Sequence, residues 1–159
     1  MEENIKNPEK MPSVREVIDA SLPAGAQRDP HTAAALSLAY VGDTVYDLYV
    51  RTFLVEREDA RVRELHRMSA ALVCAAGQAA AFHAVEPMLT ENELAVYRRG
   101  RNSHLGTVAK NAKISDYRTA TGLEALVGFL YLTGQDARLT ALMRAIIKNG
   151  RENDARSKT

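Results

Sequence analysis

Two segments of this 159-residue chain each set one carboxylate beside a glycine inside an otherwise apolar stretch: Leu38-Ala39-Tyr40-Val41-Gly42-Asp43 and Thr121-Gly122-Leu123-Glu124-Ala125-Leu126-Val127-Gly128. A glycine in a helix interior costs about 1 kcal/mol relative to alanine, and a carboxylate at the edge of an apolar face costs more unless something neutralises it. At helical spacing, Val41, Val45 and Leu48 form the apolar stripe of the first segment, while Asp43 turns aside with Ala39, Tyr40 and Asp47. Glu124 shares its side with Ala120, Thr121 and Gly128, away from Leu123, Leu126, Val127 and Leu130. Small residues let helices approach closely. Gly42 and Gly128 are therefore expected to permit a tight crossing that joins Asp43 and Glu124 around a divalent cation, because close carboxylates repel unless a metal or proton intervenes. Two solvated helix charges beside packing glycines would show the same pattern.

A second constellation is basic. Between Arg98 and Arg118 stand Arg98, Arg99, Arg101, Lys110, Lys113 and Arg118 against Asp116 alone, a local charge of +5 inside a chain of net charge +1. These residues, with Asn102, suit phosphate and sugar contacts on a duplex, and Ser103 and His104 stand beside them. Asp47 lies one turn beyond Asp43 and reads as an outer partner of a metal or as a surface carboxylate. His31, His66, His83 and His104 are scattered without metalloprotease spacing, and no serine or cysteine triad is evident. The single Cys74 excludes an intramolecular disulfide and a cysteine metal cluster, and its alanine-rich surroundings suggest packing. The charges from Arg57 to Arg67 are balanced and read as a solvated helix face, and Tyr40, Tyr46 and Tyr49 read as packing residues.

The elements that must hold these residues are helical throughout. Four of the five prolines fall within the first 30 residues and interrupt any long helix there. Ser13 and Glu16 have capping-box spacing, which predicts a short helix with Val14, Val17 and Ile18 on its apolar face. One long helix is expected from Pro30 to about Arg57, and a second from about Ala60 to Val85, ended by Pro87. Thr90 and Glu93 repeat the capping spacing and open a helix that stops near Gly100. Residues 101 to 115 read as a loop with one helical turn, followed by helices bearing Leu123, Leu126, Val127 and Leu130, then Leu139, Leu142, Met143, Ile146 and Ile147. No segment alternates with period two. The fold class is all-α, with a lead-in over 1–29, one domain over 30–149 and a polar tail over 150–159. The longest apolar run falls short of the ~20 residues a bilayer requires and the start lacks a secretory apolar core, so a cytoplasmic protein is expected.

Leu38-Ala39-Tyr40-Val41-Gly42-Asp43-Thr44-Val45 and Leu123-Glu124-Ala125-Leu126-Val127-Gly128 resemble the two acidic segments of the ribonuclease III catalytic domain, in order and separation. Tyr97-Arg98-Arg99-Gly100-Arg101-Asn102-Ser103 and Tyr117-Arg118-Thr119-Ala120-Thr121-Gly122 look like its short Mini-ribonuclease III branch, which lacks a separate double-stranded-RNA-binding domain. The resemblance spans roughly residues 30 to 148. It implies a ribonuclease III-like helical bundle, a homodimer joined through the first acidic helix, and hydrolysis of double-stranded RNA supported by Mg2+, with Mn2+ as a substitute. Asp43 and Glu124 match the family's catalytic magnesium-site carboxylates. Larger members carry a further glutamate and aspartate at the positions of Ala39 and Thr121, a reduction the short branch commonly shows. The resemblance also implies maturation of the 23S ribosomal RNA precursor, with a ribosomal protein as a further partner on the substrate. The losses at Ala39 and Thr121 motivate the alternative, a non-catalytic RNA-binding or ribosome-associated protein of the same fold; a helical protein-interaction module is a third reading.

Overall fold

A computed structural model describes residues 10–103 and 113–159. Among them run seven α-helices and no strand: α1 (Val14–Ser21), α2 (Ala35–Arg57), α3 (Val62–Val73), α4 (Ala75–Val85), α5 (Glu91–Arg101), α6 (Ile114–Leu132) and α7 (Asp136–Ser157), with a 3-10 turn over Glu86–Met88. Both capping boxes form: Ser13 and Glu16 satisfy each other's free amides at the start of α1, and Thr90 and Glu93 do so at α5.

The core is organised around α6. Its residues Leu123, Ala125, Leu126, Val127 and Leu130 are fully enclosed, as expected for a helix apolar on all sides rather than along one stripe. Helices α2, α4, α5 and α7 surround it. Leu38, Tyr46, Val50 and Leu54 close the core from α2, Phe82 and Val85 from α4, and Leu142, Met143 and Ile146 from α7. Phe82 stacks on Tyr97 with ring centroids 3.7 Å apart, tying α4 to α5.

Five expectations are corrected by this arrangement. The single helix expected over 60–85 is two, bent by 58° at Cys74, whose backbone is extended. The bend brings the Ala71 carbonyl within 2.2 Å of where a Cβ on Gly77 would sit, so only glycine fits there. Cys74 is not a packing residue: it is exposed, and its Sγ caps α4 by accepting from the Gly77 amide at 3.3 Å. The first long helix starts at Ala35 rather than Pro30, after a turn in which Asp29 accepts from the His31 amide. The polar stretch from Gly150 continues α7 to Ser157, since Arg151 pairs with Glu58 at 2.7 Å and Asp154 draws in Arg67, Arg151 and Lys158. Tyr46 is a core residue as expected and Tyr49 is half-buried, but Tyr40 is 85% exposed and Leu48 56% exposed.

Candidate active site

Helices α2 and α6 cross in close backbone contact, and glycine permits it. A Cβ on Gly42 would lie 1.8 Å from the Glu124 carbonyl oxygen, and one on Gly128 would lie 1.9 Å from that of Leu38. Neither position can carry any other residue without separating the two backbones, because real Cβ contacts do not fall below about 3 Å and cores resist overpacking. The helix-interior glycines thus have their reason in packing. They also set Asp43, the residue after Gly42, against Glu124.

The two carboxylates differ in surroundings. Asp43 is exposed, whereas Glu124 is largely enclosed. Burial first, then the neighbouring charge of Asp43, pushes the Glu124 carboxyl from its ordinary 4.5 up to about 7, and the Gln78 amide opposes the rise by favouring the charged form. No lysine or arginine among the described residues pairs with either acid. An acid pair without a cationic partner and partly withdrawn from water suits a divalent cation that keeps several of its own waters. The donors are few: no cluster of three or more acidic, histidine or cysteine side chains occurs among the described residues. Ala39 is buried and offers no ligand, and the buried Thr121 hydroxyl donates to the Tyr117 carbonyl at 3.0 Å. Asp47 is held by Arg51 at 2.8 Å.

The wall behind the acid pair comes from the α3–α4 bend. Ending α3 at Val73 leaves carbonyls without helical donors. The Tyr46 hydroxyl donates to the Leu72 carbonyl at 3.2 Å, and the Gln78 amide donates to the Val73 carbonyl at 3.2 Å. Burial, then the charge of Glu124, raises the Tyr46 hydroxyl well above the usual range, so it stays a neutral donor. Sequence reasoning missed Gln78. Its signal was present: it is the one amide in the run Ala70 to Ala81.

The basic residues gather beside this site. The end of α5 packs on α6 through Gly100, where a Cβ would lie 2.9 Å from the Gly122 Cα and 3.1 Å from the Thr121 carbonyl, less than a turn from Glu124 along α6. Arg98, Arg101 and Asn102 are exposed there, and Lys113 and Arg118 are exposed at the start of α6. Arg99 is also exposed but donates to the Ala33 carbonyl at 2.6 Å, tying α5 to the entry of α2. Lys110 and His104 lie outside the described residues.

Comparison with known proteins places these features in a family. The Ribonuclease III domain model matches residues 36–135, which include both acids and the basic cluster at the end of α5. A Mini-ribonuclease 3 of Enterococcus faecalis is 45% identical over 123 residues, covering 76% of this chain and 93% of that protein. One of Symbiobacterium thermophilum is 46% identical over 117 residues, covering 74% of this chain and 90% of the relative. A crystal structure of a Fusobacterium nucleatum protein shares the fold with a TM-score of 0.69 at 24% identity, over 77% of this chain and 98% of that one.

Proposed function

Because the chain belongs to the ribonuclease III family, in its Mini-ribonuclease III branch, we propose that it is a magnesium-dependent endoribonuclease acting on double-stranded RNA in the cytoplasm, with the precursor of 23S ribosomal RNA as its substrate. Membership makes it a hydrolase of RNA phosphodiester bonds; the metal, the precursor and any ribosomal protein on it belong to the proposal. The observation that carries the reading is the glycine crossing, which sets Asp43 against Glu124 with no lysine or arginine among the described residues paired to either. Against the alternative of a non-catalytic RNA-binding protein stand the family membership and the retention of both Asp43 and Glu124, while Ala39 and Thr121 still supply no carboxylate.

Asp43 and Glu124 would hold Mg2+, which when bound supplies an activated water and stabilises charge on the phosphate. The enclosure that disfavours the charge of Glu124 in the metal-free protein also strengthens its attraction for a bound cation, which bulk water would otherwise screen. Arg98, Arg99, Arg101, Asn102, Lys113 and Arg118, with Lys110, would grip phosphates and riboses along the duplex, which is read by shape rather than sequence. Arg99 does this with the guanidinium donors that Ala33 does not take.

The family generally works as dimers, and α2 offers a surface for one. Leu36, Tyr40, Leu48 and Val55 leave an exposed apolar row along the helix, and Val62 extends it onto α3. A twofold partner on this row would bury the same residues from both copies and set two acid pairs at a fixed separation, one for each strand. Cleavage of a labelled RNA duplex with and without magnesium tests the proposal. Magnesium-dependent cutting that disappears in Asp43→Asn is expected; cutting that persists in folded, dimeric Asp43→Asn contradicts it.

A further inference from the structure

Gln78 is an unusual residue for its place. It sits on α4 among alanines, is 1% exposed, and is enclosed between the α3–α4 bend and α6. Its Nε2 donates to the Val73 carbonyl at 3.2 Å, while its Oε1 is buried with no partner. A buried amide oxygen left unpaired costs about 1–3 kcal/mol, so a native chain retains one where something else supplies the donor. The same side chain faces the Glu124 carboxylate. An amide nitrogen carries two hydrogens. With Val73 fixing one, the second is free for Glu124, and the orphaned oxygen is left to accept.

We propose that Gln78 is a positioning residue of the acid pair: anchored on the Val73 carbonyl, it fixes the Glu124 carboxylate with its amide and accepts a hydrogen bond at Oε1 from a water of the metal-binding site. The inference rests on the reading of Asp43 and Glu124 as metal ligands. It gives the bend at Cys74 a purpose, since a continuous helix over 62–85 would leave no free Val73 carbonyl to orient the amide. It also supplies a polar group that the two-carboxylate donor set otherwise lacks, as outer-shell partners do when they orient a ligand.

Two measurements separate this role from packing alone. The first is Mn2+ binding to the metal-free dimer, followed by electron paramagnetic resonance, in the parent, Gln78→Leu and Gln78→Met. Loss of an outer-shell partner should weaken binding by about 10–100-fold in either folded variant, with cleavage recovered at raised metal concentration. A variant that is less stable but binds Mn2+ as the parent does overturns the proposal. The second leaves Gln78 in place: its side-chain amide resonance should move on Mg2+ addition in the parent and stay fixed in Asp43→Asn. A Gln78 resonance that stays fixed while the backbone amides of Asp43 and Glu124 move also overturns it. If the parent itself binds no divalent cation, the proposed function fails rather than this inference alone.

Discussion

Glutamine at position 124 should make the protein more stable while it abolishes cleavage. Burial and the charge of Asp43 move the Glu124 carboxyl from 4.5 to about 7. Between those pH values the folded chain holds a proton that the unfolded chain has released, so stability is greatest below about 4.5, falls as pH rises towards about 7, and is level beyond it. At ~1.4 kcal/mol per pH unit, ionised Glu124 costs the metal-free fold at most about 3–4 kcal/mol. Water still reaches part of the group, which brings the expected gain for Glu124→Gln to about 1–3 kcal/mol at pH 8. With a urea slope of about 2–3 kcal/mol per molar, the unfolding midpoint should rise by about 0.3–1.5 M at pH 8 and hardly at all at pH 4. Asp43→Asn should give a smaller gain, since burial is the larger cause of the shift. Adding Mg2+ should stabilise the parent and leave Glu124→Gln unmoved, because a ligand stabilises only the state that binds it. An unchanged midpoint at pH 8, or equal gains at pH 4 and pH 8, refutes the electrostatic reasoning.

Gly42→Ala and Gly128→Ala each place a methyl within 2 Å of a backbone carbonyl, so each should lose about 3 kcal/mol or more of stability by thermal unfolding and should lose cleavage as the acids separate. Glutamine at Arg98, Arg101 and Arg118 should weaken duplex binding while leaving stability unchanged, with the slope of log affinity against log salt reduced by about 1 per residue in filter-binding assays. Arg99→Gln should show that binding loss together with a lowered melting temperature, because it also releases the Ala33 carbonyl. Removal of residues 1–25 should shift the melting temperature by no more than about 2–4 °C, since α1 buries none of its residues and about 1 kcal/mol corresponds to that range at this chain length.

What the sequence made legible was local. Ser13–Glu16 and Thr90–Glu93 announce helix starts because a capping box is complete within four residues. The acid pair was legible through its glycines, whose cost in a helix interior asks for a reason, and the reason is the contact of Gly42 with Glu124 and of Gly128 with Leu38. The bend at Cys74 was hidden, because an alanine-rich run has no face to interrupt and no proline marks the break; Gly77, in the first turn of α4, is its one trace. Tyr40 and Leu48 were misread because helical periodicity identifies apolar positions and does not say which of two apolar sides of α2 meets its own core. The continuation of α7 past Gly150 depends on Glu58 and Arg67, partners more than 80 residues away in the chain.

Asp43 and Glu124 are held to act as one unit around one divalent cation, and a double-mutant cycle on single-turnover cleavage of an RNA duplex tests that most directly. Asp43→Asn and Glu124→Gln should each abolish the magnesium-dependent rate, and the double variant should be no slower than either, as for groups that function together. A single variant that keeps substantial activity, or losses that multiply in the double variant, would show that the two carboxylates do not share a site.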